Sequence, residues 1–339
     1  MARRYQKKTD WHWLRSITED SLNASGNFPV SVSVDGKIEW IESGLYHDNY
    51  RFWIAAPGLS KEWQDKSLLL RLSSQKRPLR SKSESAQYLV REAQTLQALK
   101  NAAFAFETPE LICMVKSHAR QPVGLVENWV WGMPLPFYKN SIHADRIIPT
   151  IAAVAAAVHH LPPGKFSHLP ALPDSRTHIL RELEGLSPAL FNEYPAAQAA
   201  REWILTRLPI NRPATVLHGD LLPQNINCGE NKGEWKIAVI DWEFAEIGDP
   251  AFDLAIVTRG DRKLMGINNG LKHLVNNYRE AGGIDLTVSD VNIHELLLLM
   301  KWLWESAQGH RRGQTEGHGP DHYAQRVESL LRRAVKEGE

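Results

Sequence analysis

Three polar side chains between residues 218 and 255 have the types and spacing that phosphoryl transfer requires. Asp220 lies in a His-Gly-Asp turn, Asn225 follows five residues later, and Asp241 ends an apolar run. This reaction needs a carboxylate beside the acceptor hydroxyl and oxygen ligands for a magnesium ion that neutralises the nucleotide phosphates. We therefore predict that Asp220 is the catalytic base and that Asn225 and Asp241 bind Mg²⁺, which implies a magnesium–nucleotide cofactor.

The same segment has a simpler interpretation as a set of ordinary turns. Gly and Asp favour turns, and the Asp249-Pro250 pair is typical of a helix start, with Pro at the first helical position. Two strand patterns argue instead that the acids follow strands: the apolar approach 214–217 leads to Asp220, and the β-branched run 235–240 leads to the second acid. Because the second motif follows the first at a set distance, we favour the catalytic interpretation.

The segment resembles the aminoglycoside phosphotransferase and choline kinase family, the small-molecule branch of the protein-kinase-like fold. The match is close across residues 218–255 and extends more weakly through most of the chain. The resemblance implies the roles given above for the base and the two magnesium ligands. It also implies that Asp253 accepts hydrogen bonds from the catalytic-loop backbone and that His218 braces that loop, although an ordinary core role is the alternative for a lone His.

The resemblance implies an α+β, protein-kinase-like fold of two lobes, a small antiparallel-sheet N-lobe with one helix and a large, mainly helical C-lobe. We assign residues 1–127 to the N-lobe that covers the nucleotide, 128–135 to the hinge, and 136–339 to the C-lobe with the catalytic loop and acceptor-binding helices. A chain of 339 residues with 43% hydrophobic content can bury the cores of two such lobes.

Two features near the N-terminus resemble the parts of the family that bind nucleotide phosphates. Gly44 ends the first of two predicted strands, 38–44 and 47–54, where the loop between them would cover the phosphates. A full glycine-rich loop is absent, and a plain hairpin is the alternative. Arg71 interrupts the apolar strand 68–72 and is expected to be the phosphate-binding cation, in place of the Lys of protein kinases. A strand arginine that faces solvent is the alternative.

Glu92 lies on a predicted amphipathic helix over residues 85–100, whose apolar side chains recur at helical spacing. In the family, a helix at this place contributes the glutamate that pairs with the strand cation. The resemblance therefore implies an ion pair between Glu92 and Arg71, and an exposed helix glutamate is the alternative.

The hinge is expected where an apolar strand ends before Gly132 and Pro134. In the family the adenine base bonds to the backbone of this segment. The expected cofactor-binding residues are Glu127, Asn128 and Trp129, and the resemblance leaves open which of them faces the base. ATP is the expected nucleotide, with GTP as an alternative.

Helical patterns fill most of the C-lobe. They are expected at residues 147–161, 177–208, 250–258, 264–281, 289–308 and 321–336, with a loop over 309–322. The resemblance implies that the acceptor binds between these helices and the Asp220 loop.

The acceptor itself does not follow from the sequence, and antibiotic, amino alcohol, sugar and amino acid hydroxyls all stay open. Acidic and basic residues after Met133 are nearly balanced, which gives no support to a polycationic acceptor. Two clusters could bind other acceptors, one with aromatic walls for a choline-like cation and one with positive charge for an anion. The aromatic cluster is Trp302, Trp304 and Glu305. The basic cluster is His310, Arg311, Arg312 and His318. Core packing and a solvated loop are the alternatives.

Composition argues against several other classes of protein. The formal net charge is +1 and the basic cluster Lys76, Arg77, Arg80 and Lys82 is small, so no nucleic-acid partner is expected. No apolar run reaches bilayer length and the basic N-terminus does not lead into a signal-peptide core, so no membrane partner is expected. Two cysteines form no disulfide framework, and a reducing, cytoplasmic location is expected for a monomer or homodimer.

The expected function is ATP-dependent transfer of the γ-phosphoryl group to a hydroxyl of a small molecule. A protein kinase is disfavoured because Asp253 follows Asp241 by only twelve positions, too few for a peptide-docking activation segment. A catalytically silent nucleotide-binding or scaffold protein is the other alternative, favoured by Arg71 and the incomplete glycine-rich loop. The intact set of Asp220, Asn225 and Asp241 argues against it.

Overall fold

The computed structural model describes most of the chain in nine stretches. They are residues 10–41, 47–73, 82–116, 122–135, 144–210, 212–231, 233–261, 266–313 and 317–337. Gly44 and the basic residues Lys76, Arg77 and Arg80 lie outside the described residues. The described residues form a small antiparallel sheet with its helices, followed by a mainly helical region, which is the predicted two-lobed arrangement.

The N-lobe is built around a five-stranded antiparallel sheet in the order β1-β2-β3-β5-β4. The strands are β1 (Ser33–Ile41), β2 (His47–Ala55), β3 (Leu68–Ser73), β4 (Leu111–Lys116) and β5 (Pro122–Asn128). Strand β3 is central and is covered on both faces, which explains its nearly continuous apolar sequence. The register places Arg71 of β3 opposite Asn49 of β2 and Leu125 of β5.

Helices cover both faces of this sheet. They are α1 (Trp11–Ala24), α2 (Lys61–Asp65) and α3 (Lys82–Ala102). The predicted helix corresponds to α3, whereas α1 was not predicted. Its buried side chains Leu14, Ile17 and Leu22 pack into the core with β1 and β2, and Asp10 caps its first turn by accepting the Trp13 N–H.

The C-lobe surrounds α4, a helix whose residues Ile151 to Ala155 are mostly buried, as its apolar sequence predicts. The helices are α4 (Ala144–His159), α5 (Ser175–Glu184), α6 (Pro188–Glu193), α7 (Pro195–Leu205), α8 (Ala251–Thr258), α9 (Gly270–Glu280), α10 (Val288–Arg311) and α11 (Pro320–Glu337). Short strands complete it: β6 (Met133–Pro134), β7 (Thr215–Leu217), β8 (Ile226–Asn231), β9 (Glu234–Val239) and β10 (Glu246–Gly248). Among the described residues, no helix is both long enough and apolar enough to span a membrane.

The prediction of one helix over residues 177–208 was wrong, because three helices, α5 to α7, occupy that segment. Pro188 and Pro195 each stand at the first position of a new helix. Proline lacks the N–H that a helix interior needs but is well suited to a helix start. The run of apolar residues therefore continues while the helix axis changes direction.

Two other helix boundaries differ from those predicted. Helix α9 begins at Gly270 rather than at residue 264, because Asn269 adopts a left-handed backbone with a φ of 57°. Helix α10 ends at Arg311 and helix α11 begins at Pro320. The connection between them is therefore shorter than the predicted loop.

Candidate active site

The loop between β7 and β8 holds Asp220 and Asn225 together. The Asn225 Nδ2 donates to the Asp220 carbonyl oxygen at 2.8 Å and to its carboxylate Oδ2 at 3.1 Å. This use of the amide nitrogen leaves Asn225 Oδ1 as a candidate ligand for a cation. Burial and the charge of Asp241 raise the pKa of Asp220 to about 6, against the lowering effect of Arg259.

Buried Asp253 on α8 fixes the catalytic loop from the C-lobe side. Its carboxylate accepts the backbone N–H of His218 at 2.8 Å and that of Gly219 at 2.9 Å. His159 Nε2 lies 3.2 Å from the same carboxylate. His218 Nε2 donates to the carbonyl of Ile240 at 3.0 Å, which connects the loop to the end of β9. These contacts are the bracing roles that the resemblance implied for Asp253 and His218.

Gly219 is required by a close approach between the catalytic loop and the segment after β9. Its φ is +80°, and a Cβ atom built there would lie 2.1 Å from the carbonyl oxygen of Phe244. Asp241, on the facing segment, also has a left-handed backbone, with a φ of 68°. The catalytic loop and the second acid are thus held in fixed positions relative to each other.

Arg71 connects the N-lobe sheet to this segment through two ion pairs. Its Nη1 contacts Glu92 Oε1, and its Nη2 lies 2.6 Å from Asp241 Oδ1. The pairing with Glu92 is the one expected from the sequence, and the pairing with Asp241 was not predicted. Burial alone would raise the pKa of Asp241, but the Arg71 guanidinium outweighs it and lowers that pKa, so Asp241 is ionised.

A second buried acid, Glu127 of β5, adds to the negative charge around Arg71. Burial raises the pKa of Glu127 to about 7, although Arg71 lowers it, and burial also raises the pKa of Glu92. One carboxyl oxygen of each glutamate, Oε2, has no hydrogen-bond partner among the described residues. The guanidinium therefore lies among three acidic side chains.

The other two hinge candidates lie at the end of β5. The N–H of Asn128 donates to the Glu110 carbonyl at 3.1 Å, and the N–H of Trp129 donates to the Ser67 carbonyl at 2.9 Å. The guanidinium of Arg51 lies 4.6 Å from the Trp129 ring centroid. These amide groups are thus engaged within the N-lobe, whereas the Glu127 side chain acts on Arg71.

A buried contact between His47 and Glu243 provides a second connection between the lobes, and the sequence did not indicate it. His47 Nε2 lies 2.8 Å from Glu243 Oε2, and both side chains are 2% exposed. The available signals were positional: Glu243 stands two residues after Asp241, and His47 begins the strand after the predicted phosphate-covering loop.

The structure does not keep the two predicted acceptor clusters as separate groups. Arg311 pairs with Glu193 of α6 and lies over Trp304, at 5.5 Å from the ring centroid. Trp302 instead packs near Tyr323, with ring centroids 6.3 Å apart, and lies beside Arg259. Arg259 was not among the predicted site residues, because a single arginine after a helix carries no sequence pattern.

Comparison with known families and structures agrees with this geometry. Residues 37–285 match the model of the phosphotransferase enzyme family (APH), a range that includes the residues predicted for catalysis, nucleotide binding and magnesium binding. The structure of the GDP and kanamycin complex of APH(2'')-IIIa has a TM-score of 0.61 at 17% identity, covering 97% of this chain and 99% of that chain. A macrolide 2'-phosphotransferase type I has a TM-score of 0.61 at 16% identity, covering 96% of this chain and 97% of that chain.

A sequence relative comes from a much longer protein. Acyl-CoA dehydrogenase family member 10 from Mus musculus is 27% identical over 199 residues, which are 56% of this chain and 18% of that protein. The chain thus spans less than a fifth of the length of this relative. The solved structures share the fold.

Proposed function

The chain belongs to the phosphotransferase enzyme family, and from this premise we propose that it transfers the γ-phosphoryl group of ATP to a hydroxyl of a small molecule. The observation that carries the proposal is the placement of Asp220. Its half-buried carboxylate is oriented by Asn225, on a loop braced by Asp253, and faces the charge of Asp241. A positioned carboxylate beside a second acid is what the reaction requires.

Asp220 acts as the base that accepts the proton of the acceptor hydroxyl. A base works best when its pKa lies near the working pH, and a pKa of about 6 leaves Asp220 mainly ionised at neutral pH. Asn225 donates to Oδ2, which leaves Oδ1 as the oxygen that takes the proton.

The donor set also fits a magnesium ion. Asp241 is held ionised by Arg71, and Asn225 offers Oδ1 because its Nδ2 is bonded to Asp220. Mg²⁺ prefers such oxygen ligands and keeps other positions for water and phosphate, so two side chains suffice. When bound, the ion neutralises charge on the transferred phosphoryl group.

Arg71, oriented by Glu92, supplies the cation for the nucleotide phosphates. The nucleotide base accepts hydrogen bonds from backbone N–H groups after Trp129, because the N–H groups of Asn128 and Trp129 are already engaged. GTP is an alternative donor, because one solved structure of this fold contains GDP.

A catalytically silent nucleotide-binding protein is the second candidate. The observation that favours it is the ion pair between Arg71 and Asp241, since it engages the carboxylate that magnesium needs. The two candidates differ in turnover, which can be measured directly.

The test is ADP release from Mg-ATP with pooled acceptors: aminoglycosides, macrolides, amino alcohols, sugars and hydroxy acids. We expect release that depends on one pool. Asp220→Ala should lower it by about 100-fold or more, while the affinity for Mg-ATP persists. Asp285→Ala, at a side chain that is 88% exposed, is the matched control. Full activity in Asp220→Ala would contradict the assigned base, and Mg-ATP binding without release in any pool would favour the silent protein.

A further inference from the structure

A second positively charged site lies on the C-lobe side of Asp220, where the end of α8 meets α10 and α11. Arg259 ends α8 with a left-handed φ of 48°, which is uncommon for a residue other than glycine. Its guanidinium carbon lies 5.8 Å from the ring centroid of Trp302 on α10. The carbonyl oxygen of Arg259 accepts a hydrogen bond from Arg326 of α11, which places the Arg326 guanidinium beside the Arg259 backbone.

Arg259 lacks a carboxylate partner among the residues that the structure describes. Its Nε is buried and has no hydrogen-bond partner there. The buried acid at this turn, Glu295, instead accepts hydrogen bonds from Thr258 Oγ1 and from the Gly260 N–H, the latter at 3.0 Å. A buried donor without an acceptor costs free energy, and an acceptor atom of a bound ligand would remove that cost.

The charge of Arg259 acts on the catalytic centre. Burial and then Arg326 lower the pKa of Arg259, and the carboxylate of Asp220 opposes that lowering. Conversely, Arg259 is the cation that lowers the pKa of Asp220. The guanidinium therefore lies within electrostatic reach of Asp220.

Aromatic and imidazole rings continue the surface beside Arg259. Trp302 packs near Tyr323, whose ring centroid lies 5.3 Å from that of His322. His322 stacks on His318 with centroids 4.0 Å apart. Burial lowers the pKa of His322, and the neighbouring His318 and Arg326 lower it further. This part of the C-lobe thus combines ring faces with positively charged groups.

We propose that Arg259, with Arg326 beside it, binds an anionic group of the acceptor, so that the substrate is a hydroxy compound that carries a carboxylate or a phosphate. The inference rests on the proposed function, because Asp220 marks where the reacting hydroxyl lies. A planar guanidinium can donate two parallel hydrogen bonds to either anion, and the Trp302 ring supports it as a cation–π partner. A polycationic acceptor would be repelled at this position.

The first experiment compares acceptors that share a hydroxyl and differ in the anion. The pairs are glycerate and glycerol, gluconate and sorbitol, serine and serinol, and glucose 6-phosphate and glucose, each assayed by ADP release from Mg-ATP. We expect the member that carries the carboxylate or phosphate to be phosphorylated with a kcat/KM about 10- to 100-fold above that of its partner without the anion, the usual worth of a hydrogen bond to a charged group. Turnover confined to neutral or cationic acceptors would overturn the anion site and leave the proposed function intact.

The second experiment changes Arg259 itself. Arg259→Gln should raise the KM for the charged acceptor by about 10- to 100-fold, with the KM for Mg-ATP unchanged. Arg259→Lys keeps the charge, so its KM for the charged acceptor should rise less than that of Arg259→Gln. Arg259→Gly, which suits the left-handed backbone, serves if the glutamine variant does not fold. Arg332→Gln is the control, at an arginine of helix α11 that is 74% exposed. An increase in the KM for Mg-ATP alone would assign Arg259 to the nucleotide phosphates and overturn the proposal.

A binding measurement separates this proposal from the proposed function. Glycerate, gluconate and glucose 6-phosphate are titrated calorimetrically into wild-type and Arg259→Gln protein saturated with magnesium and a non-hydrolysable ATP analogue. Binding that is lost in the variant would support the anion site even if no acceptor is turned over. Absence of binding of all three anions, together with no turnover of any charged acceptor, would overturn it.

Discussion

At the scale of single residues, the candidate site depends on backbone conformations that most side chains avoid. Gly219 and Asp241 both have left-handed φ values, and the carbonyl of Phe244 lies where a Gly219 Cβ would be. A non-glycine residue in this region costs about 1–2 kcal/mol and persists only where the surroundings hold it. The ion pair with Arg71 is one such constraint on Asp241. The relative position of the two acids is therefore set by the tertiary fold.

Replacement of Gly219 tests this close approach. Gly219→Ala should lower the free energy of unfolding in urea by about 1–3 kcal/mol more than Gly233→Ala does, because the added methyl overpacks against Phe244. Gly233 is a matched control, since its φ is +82° and no atom lies within 4 Å of the added Cβ. Equal losses in the two variants would show that φ strain alone matters at Gly219.

At the scale of elements, the junction between β10 and α8 is held by a buried network of charged groups. Asp249 accepts hydrogen bonds from Arg212 at 2.9 Å and from His294 of α10 at 3.0 Å. Its own N–H donates to His178 Nδ1 of α5 at 2.8 Å. The sequence indicates only a helix start at Asp249. Its tertiary contacts join three helices behind the catalytic loop.

The same junction predicts a loss of stability in acid. Burial, followed by the charges of His294 and Arg181, lowers the pKa of His178 to about 3, below the value of about 6.5 in an unfolded chain. Between these values the unfolded state binds the extra proton, so stability falls as the pH decreases through that window. The contribution of His178 is about 1.4 kcal/mol per pH unit.

Urea unfolding between pH 7 and pH 5 measures this slope. We expect His178→Gln to have a shallower pH dependence than the wild type, because glutamine does not titrate. His273→Gln, at an exposed histidine of α9, is the control and should keep the wild-type slope. An unchanged slope in His178→Gln would place the acid sensitivity elsewhere.

At the scale of the whole molecule, the two lobes are connected by contacts between ionisable side chains at the site itself. Arg71 of β3 contacts Asp241, and His47 of β2 contacts Glu243, so both connections end on the segment after β9. Separation of the lobes would break these contacts. The position of the N-lobe sheet and the binding of the nucleotide should therefore be coupled.

His47 offers a test of that coupling. His47→Ala should weaken calorimetric Mg-ATP binding by about 3- to 10-fold, because it removes one partner of Glu243, a loss of about 1 kcal/mol. His47→Gln keeps a donor for the carboxylate and should bind more tightly than the alanine variant. His12→Ala, at an exposed histidine of α1, is the control. The same affinity in all three variants would mean that this contact has no role in nucleotide binding.

The sequence by itself determined the strands and helices with clear periodicity, and the order of Asp220, Asn225 and Asp241 along the chain. Strand β3 and helices α3 and α4 lie close to their predicted positions, because burial imposes a period on neighbouring residues. The spacing of Asp220 and Asn225 could be interpreted from the sequence because one short loop brings the acid and the amide together.

Only the tertiary structure decided which distant side chains meet. Arg71 and Asp241 are 170 residues apart in the chain, and His47 and Glu243 are 196 apart, so no local period links either pair. Arg259 is likewise placed near Asp220 by the packing of α8 against α10 and α11. Such contacts depend on how separate elements pack, and a lone charged residue reads the same in sequence whether it faces solvent or the catalytic base.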